Sequence, residues 1–117
     1  MSEPVIDSAR TAAFGDPETE PGRSALIEIF RVYFDNVSAA CAQMRRAASS
    51  EEVRAHAHRA KGASGVVGAV ALTAAFADIE SRAAAGEDVP ADVFDDVDRD
   101  VEALRRLLAT RIGEEFQ

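Results

Sequence analysis

The chemistry of this chain is concentrated in residues 55 to 69, AHAHRAKGASGVVGA. The only two histidines, His56 and His58, stand two positions apart. Lys61 follows His58 by three, and Gly62, Gly65 and Gly68 come next. A neutral imidazole near pH 7 is both a metal ligand and a nucleophile, since its unperturbed pKa is about 6.5. The metal reading fails on spacing. Residues at i and i+2 of a helix do not face one another, so the two rings cannot share an ion. No compact set of Cys or carboxylates completes a site of three or four ligands either. The nucleophile reading is open: a ring nitrogen can take a phosphoryl group, and a lysine ammonium one turn away can neutralise part of the added charge.

On a helical wheel with Val53 at zero, Val53, Ala57, Ala60, Ser64 and Val67 fall within about 40° of one direction and form the core stripe. His58 falls at about 140°, clear of that stripe, with Arg54, Lys61, Gly65 and Gly62 around it; His56 falls at about 300°, on the other flank. An outward glycine inside a helix costs about 1 kcal/mol against alanine. Core packing cannot explain Gly62 and Gly65, but clearance for another molecule beside His58 can. Gly68 stands where the helix should stop, as a C-cap.

The elements that must position this stretch are helical throughout. Alanine is abundant and proline is scarce, which favours helices over strands. Val5 and Ile6 form a short apolar patch, Asp7 can cap a brief helix over 8–14, and GDPETEPG is a loop. A half-ordered arm and a packed helix are both compatible with residues 1–21. From 23 to 47 an amphipathic stripe runs through Leu26, Phe30, Tyr33, Val37, Ala40 or Cys41, and Met44. Ser49 and Glu52 have capping-box spacing and start the helix that carries His58. After Gly68 come Leu72, Phe76, Ile79 and Ala83, ended by Gly86. A last helix starts near Pro90, with Val93 or Phe94, Val97, Val101, Leu104, Leu108 and Ile112 as its stripe. The expected fold is all-α, an up-down-up-down antiparallel four-helix bundle over 22–117, with residues 1–21 as a short N-terminal helix or arm.

Composition narrows the function classes. Net charge is −8, which argues against nucleic acid or an anionic membrane as the main partner. One cysteine, Cys41, allows no internal disulfide and is expected in the core. No apolar run reaches the roughly 18 residues of a membrane helix, and no signal-peptide pattern is present, so a cytoplasmic protein is expected. The acidic group Asp92, Asp95, Asp96, Asp98 and Asp100 reads as a solvated helix face, with steering of a basic partner patch as the alternative. No nucleotide-binding loop exists, so a phosphoryl group on His58 would have to come from another protein.

His58-Arg-Ala-Lys61-Gly62-Ala63-Ser64-Gly65-Val-Val-Gly68-Ala69, with Leu72 after it and Ile79-Glu80 later, resembles the signature of histidine-containing phosphotransfer (HPt) domains. The resemblance implies a four-helix bundle in which His58 accepts the phosphoryl group at Nε2 and Lys61 stabilises it. Gly62 and Gly65, with Arg54 and Arg59, would serve partner docking. Partners would be response-regulator receiver domains and a hybrid histidine kinase. The chain would have no cofactor of its own, Mg²⁺ coming with the receiver, and it would act as a monomer. It would be a histidine phosphotransfer protein without a kinase domain, not a self-contained enzyme.

Two positions depart from the pattern. The hydroxyl often found directly after Gly62 is displaced to Ser64, which faces the core and can bond back to its own helix. Ala60 replaces a frequent Leu. Neither touches the acceptor. His56 matches no functional position of the family, and Glu80 taken alone reads as a surface charge or salt-bridge partner. The alternative function is a non-catalytic helical interaction module, a degenerate HPt.

Overall fold

The computed structural model describes residues 5–113. The first four residues of the expected arm and the last four of the expected bundle region lie outside that range. Every regular element in it is helical: α1 Ser8–Ala12, α2 Gly22–Arg45, α3 Ser50–Val67, α4 Val70–Ala84 and α5 Ala91–Ile112. The four long helices begin and end within about two residues of the positions their periodicity predicts. The brief N-terminal helix is shorter than predicted. Its Asp7 cap is in place, accepting from the amides of Ala9 and Arg10. Ser49 caps α3 by accepting from Glu52 N at 3.2 Å, while Glu52 reaches back to Ala48 N, one residue earlier than a regular capping box. Gly68 and Gly113 close α3 and α5 in the left-handed conformation, open to glycine without penalty.

Packing follows the stripes. The α3 and α4 helices share the most extensive contact; α2 packs on α3, α4 on α5, and α5 back on α2. Phe30, Phe34, Phe76, Leu26, Leu72, Ile79 and Leu104 are fully buried at the centre. Of the paired sequence alternatives, Cys41 and Phe94 are the buried members, with Ala40 and Val93 at the margin. Burial pushes the Cys41 thiol up to about 11, as an apolar site disfavours the thiolate. Small residues at Ala57 and Ala60 let α3 lie close to its neighbours. Ser64 donates to Ala60 O at 2.8 Å, and its hydroxyl also meets Tyr33 Oη at 2.6 Å, tying α2 to α3 inside the core. A buried hydroxyl needs such a partner.

The N-terminal segment is packed. Ile6 joins the core. Asp7 N donates to Gly68 O at 2.7 Å, Val70 N donates to Val5 O at 3.1 Å, and Thr11 Oγ1 donates to Val67 O at 2.9 Å. These bonds clasp the α3–α4 junction. The approach is close: a Cβ on Gly68 would lie 2.8 Å from Asp7 O. At the other end of the molecule Arg45 of α2 meets Asp98 at 2.9 Å and Asp95 at 3.6 Å, and lies over the Phe94 ring. Part of the acidic group on the last helix is thus paired within the fold. No described helix is long and apolar enough to cross a membrane.

Candidate functional site

Because α3 presents its small-residue stripe to the core, the opposite side carries His58 into solvent; its side chain is 64% exposed. Lys61, one turn on, is about one-third exposed. Packing of α4 against α3 brings Glu80 between them. Its neighbour Ile79 is fully buried, which fixes the rotation of α4, and Glu80 sits at the edge of the contact with only 18% of its side chain exposed. One carboxylate oxygen meets His58 Nδ1 at 2.6 Å. The other accepts from Lys61 Nζ at 2.5 Å.

The Lys61 ammonium holds the Glu80 carboxyl below the usual carboxylate range. Partial desolvation works against this, and the His58 hydrogen bond adds to it. An ionised carboxylate only accepts, so Nδ1 must carry the hydrogen. Nε2 then keeps its lone pair and is the ring nitrogen directed away from Glu80. The arrangement therefore holds one imidazole in one tautomer, with its nucleophilic nitrogen free at the surface. Glu80 is the residue whose part in the site sequence reasoning missed. The Ile79-Glu80 pair was the available signal.

The remaining predicted residues separate. Nothing lies within 4 Å of a Cβ built on Gly62 or Gly65, so the surface beside His58 is bare. Arg10 of α1 donates to Gly65 O at 3.2 Å at the far end of this face. Arg54 is engaged by Glu51 on its own helix, at 2.5 and 3.1 Å. Arg59 turns to the other flank, where its Nη2 donates to His56 Nδ1 at 2.8 Å. His56 and His58 thus stand on different sides of α3 with different partners. Among the described residues no group of three or more His, Cys, Asp and Glu is placed to hold a metal ion.

A family model described as Hpt domain matches residues 28–110 of the chain. Comparison with the curated proteins and with the solved structures gave no match.

Proposed function

The chain belongs to the Hpt domain family, whose members take part in two-component phosphorelays, and on that premise we propose that His58 is a phosphoryl acceptor and donor between receiver domains. The observation that carries the proposal is the Glu80 bridge, which leaves Nε2 as the free ring nitrogen. In the forward step the Nε2 lone pair attacks the phosphorus of a receiver aspartyl phosphate. The N–P bond forms, the P–O bond to the aspartate breaks, and the aspartate leaves as a carboxylate. The ring becomes cationic while its hydrogen stays on Nδ1, facing the Glu80 carboxylate. Lys61, beside the ring, offsets charge on the phosphoryl oxygens. Reversal on a second receiver returns the neutral imidazole.

Gly62 and Gly65 give the partner access to the backbone around His58. The Mg²⁺ this transfer uses would be held by the receiver's own carboxylates. The same reading takes α2 to α5 as an antiparallel up-down-up-down bundle, supported by their short connections and by the closed ring of contacts. It takes the chain as a monomer in the cytoplasm, working with a hybrid histidine kinase and response regulators.

The test is transfer from a panel of phosphorylated receiver domains and hybrid kinases to wild type, His56→Gln and His58→Gln. Acid-labile, base-stable label on the first two and none on His58→Gln is expected. Failure of every donor to label wild type, with binding to one of them intact, would leave a non-catalytic interaction module.

A further inference from the structure

Two hydroxyls stand in an otherwise apolar core where α2 meets α3. Tyr33 and Ser64 are both buried, and the other core positions on α3 are Ala57, Ala60 and Val67. An alanine at 64 would continue that stripe with no polar group to satisfy, so packing gives no reason for the serine. Its one hydrogen goes to Ala60 O at 2.8 Å, and the 2.6 Å contact with Tyr33 Oη must then be donated by the phenol. Burial pushes the Tyr33 phenol well above its ordinary range, so it keeps that hydrogen. The result is a directed chain from Tyr33 through Ser64 to Ala60 O, in which each bond polarises the next. Tyr33 is itself fixed by its ring, which lies edge-on to Phe30 and against Phe34.

The chain ends on the peptide unit from which Lys61 starts. The Ala60 carbonyl and the Lys61 nitrogen share one rigid plane, so a grip on Ala60 O is a grip on the root of Lys61. At its far end the same side chain is held from α4, by the 2.5 Å contact of Nζ with Glu80. Lys61 is thereby fixed at its root from α2 and at its tip from α4. The root needs the support. Gly62 comes directly after Lys61 and Gly65 three residues after that, and both weaken a helix. A Cβ built on either has no neighbour within 4 Å, so no packing on the outer face steadies this turn.

We propose that Tyr33 and Ser64 are positioning residues for phosphoryl transfer, holding the Ala60–Lys61 peptide so that the Lys61 ammonium stays beside the His58 ring. Neither touches the reacting atoms. The proposal rests on the relay reading of His58 and adds α2 to the elements that build the site.

The experiment uses the receiver that labels the wild-type chain fastest. Transfer kinetics of the full chain are compared for Tyr33→Phe, Ser64→Ala and the two together, each also in a Lys61→Ala background. Circular dichroism and chemical denaturation follow folding. Ser64→Ala strands the buried phenol and should be the least stable; the double variant removes both groups and should regain most of that loss. A purely structural pair would regain transfer along with stability. The expected result is instead that kcat stays down by about three- to tenfold in Ser64→Ala and in the double variant, and by about twofold in Tyr33→Phe, with KM within about twofold of wild type. In the Lys61→Ala background the same substitutions should change kcat by less than about 1.5-fold, because their effect runs through Lys61. Nitrogen NMR of the ammonium, which needs no partner, should show Lys61 held in one environment in wild type and averaged in the double variant. With wild type labelled normally, three results would each overturn the positioning role and leave the relay reading standing: a double variant whose kcat is within about 1.5-fold of wild type, a fall of undiminished size in the Lys61→Ala background, or an unchanged ammonium signal in the double variant. A wild type that no receiver labels would overturn both.

Discussion

Removal of Glu80 separates the role of the bridge from that of the imidazole itself. In Glu80→Ala both oxygens go, so His58 Nδ1 loses its acceptor and Lys61 its counter-ion. Hydrogen bonds to a charged group contribute about 1.5–3 kcal/mol. The low end applies here, because His58 is largely in solvent. A loss of about 1.5 kcal/mol in the population of the reactive tautomer, or in stabilisation of the cationic ring, is roughly a tenfold fall in transfer rate. Glu80→Gln keeps a neutral acceptor for Nδ1–H and should fall by only about threefold on the same scale. The assay that needs no partner is nitrogen NMR of the imidazole at pH 8. Wild type should show hydrogen on Nδ1 and a bare Nε2, Glu80→Gln a similar pattern, and Glu80→Ala a mixture. Hydrogen mainly on Nε2 in the wild type would refute the reasoning, whatever the kinetics. The bridge also has a pH limit of known sign. A carboxyl held below its usual range in the folded protein contributes fully above its unfolded value, near 4.5, and its contribution is lost as pH falls through the lowered folded value. The contact of the Glu80 carboxylate with Nδ1–H should therefore persist down to about pH 5, read by carbon NMR of that carboxylate.

Three further outcomes follow from the packing. Gly68→Ala forces a side chain into a left-handed residue and against Asp7 O, so chemical denaturation should show a loss of about 2 kcal/mol, with a loss under 0.5 counting against the clasp. Gly62→Ala meets open space and should raise stability by up to about 1 kcal/mol while slowing transfer from a receiver, a paired result that tests clearance as the reason for the glycine. Cys41 should resist a thiol reagent at pH 8 until the chain unfolds. Since its folded pKa is raised from about 9 to about 11, its contribution is complete below pH 9 and declines as pH rises to 11, by about 3 kcal/mol in all; a pH titration of the denaturation midpoint reads this directly.

The helices were legible because their signals are local. Leu26 to Met44 repeats at three and four, Ser49 offers a cap, and Gly68 stops α3, each within a few residues of its effect. His58 and Lys61 were legible together because one helix sets their spacing. Glu80 lies 22 residues from His58, and its contact depends on how α4 is rotated against α3 by Ile79 and Phe76. No periodicity in either helix alone states that rotation. The packing of α1 was hidden for a similar reason: beside Val5 and Ile6, its segment is held by backbone bonds to Gly68 and Val70 and by bonds of Thr11 and Arg10 to backbone carbonyls of α3, and backbone groups leave no trace in side-chain patterning.

The clasp over Gly68 also has a place in time. The long helices are joined by links of two, four and six residues, whereas the bond from Thr11 to Val67 closes a span of 56. Closure entropy rises as about (3/2)RT ln n, so a span of that length costs roughly 2 kcal/mol more than the short links. The contacts between helices adjacent in the chain should therefore form first, and the closures of long span, α5 on α2 and the clasp, later. In unfolding the order reverses, and amide hydrogens at residues 7, 68 and 70 should exchange before those at the centres of α3 and α4.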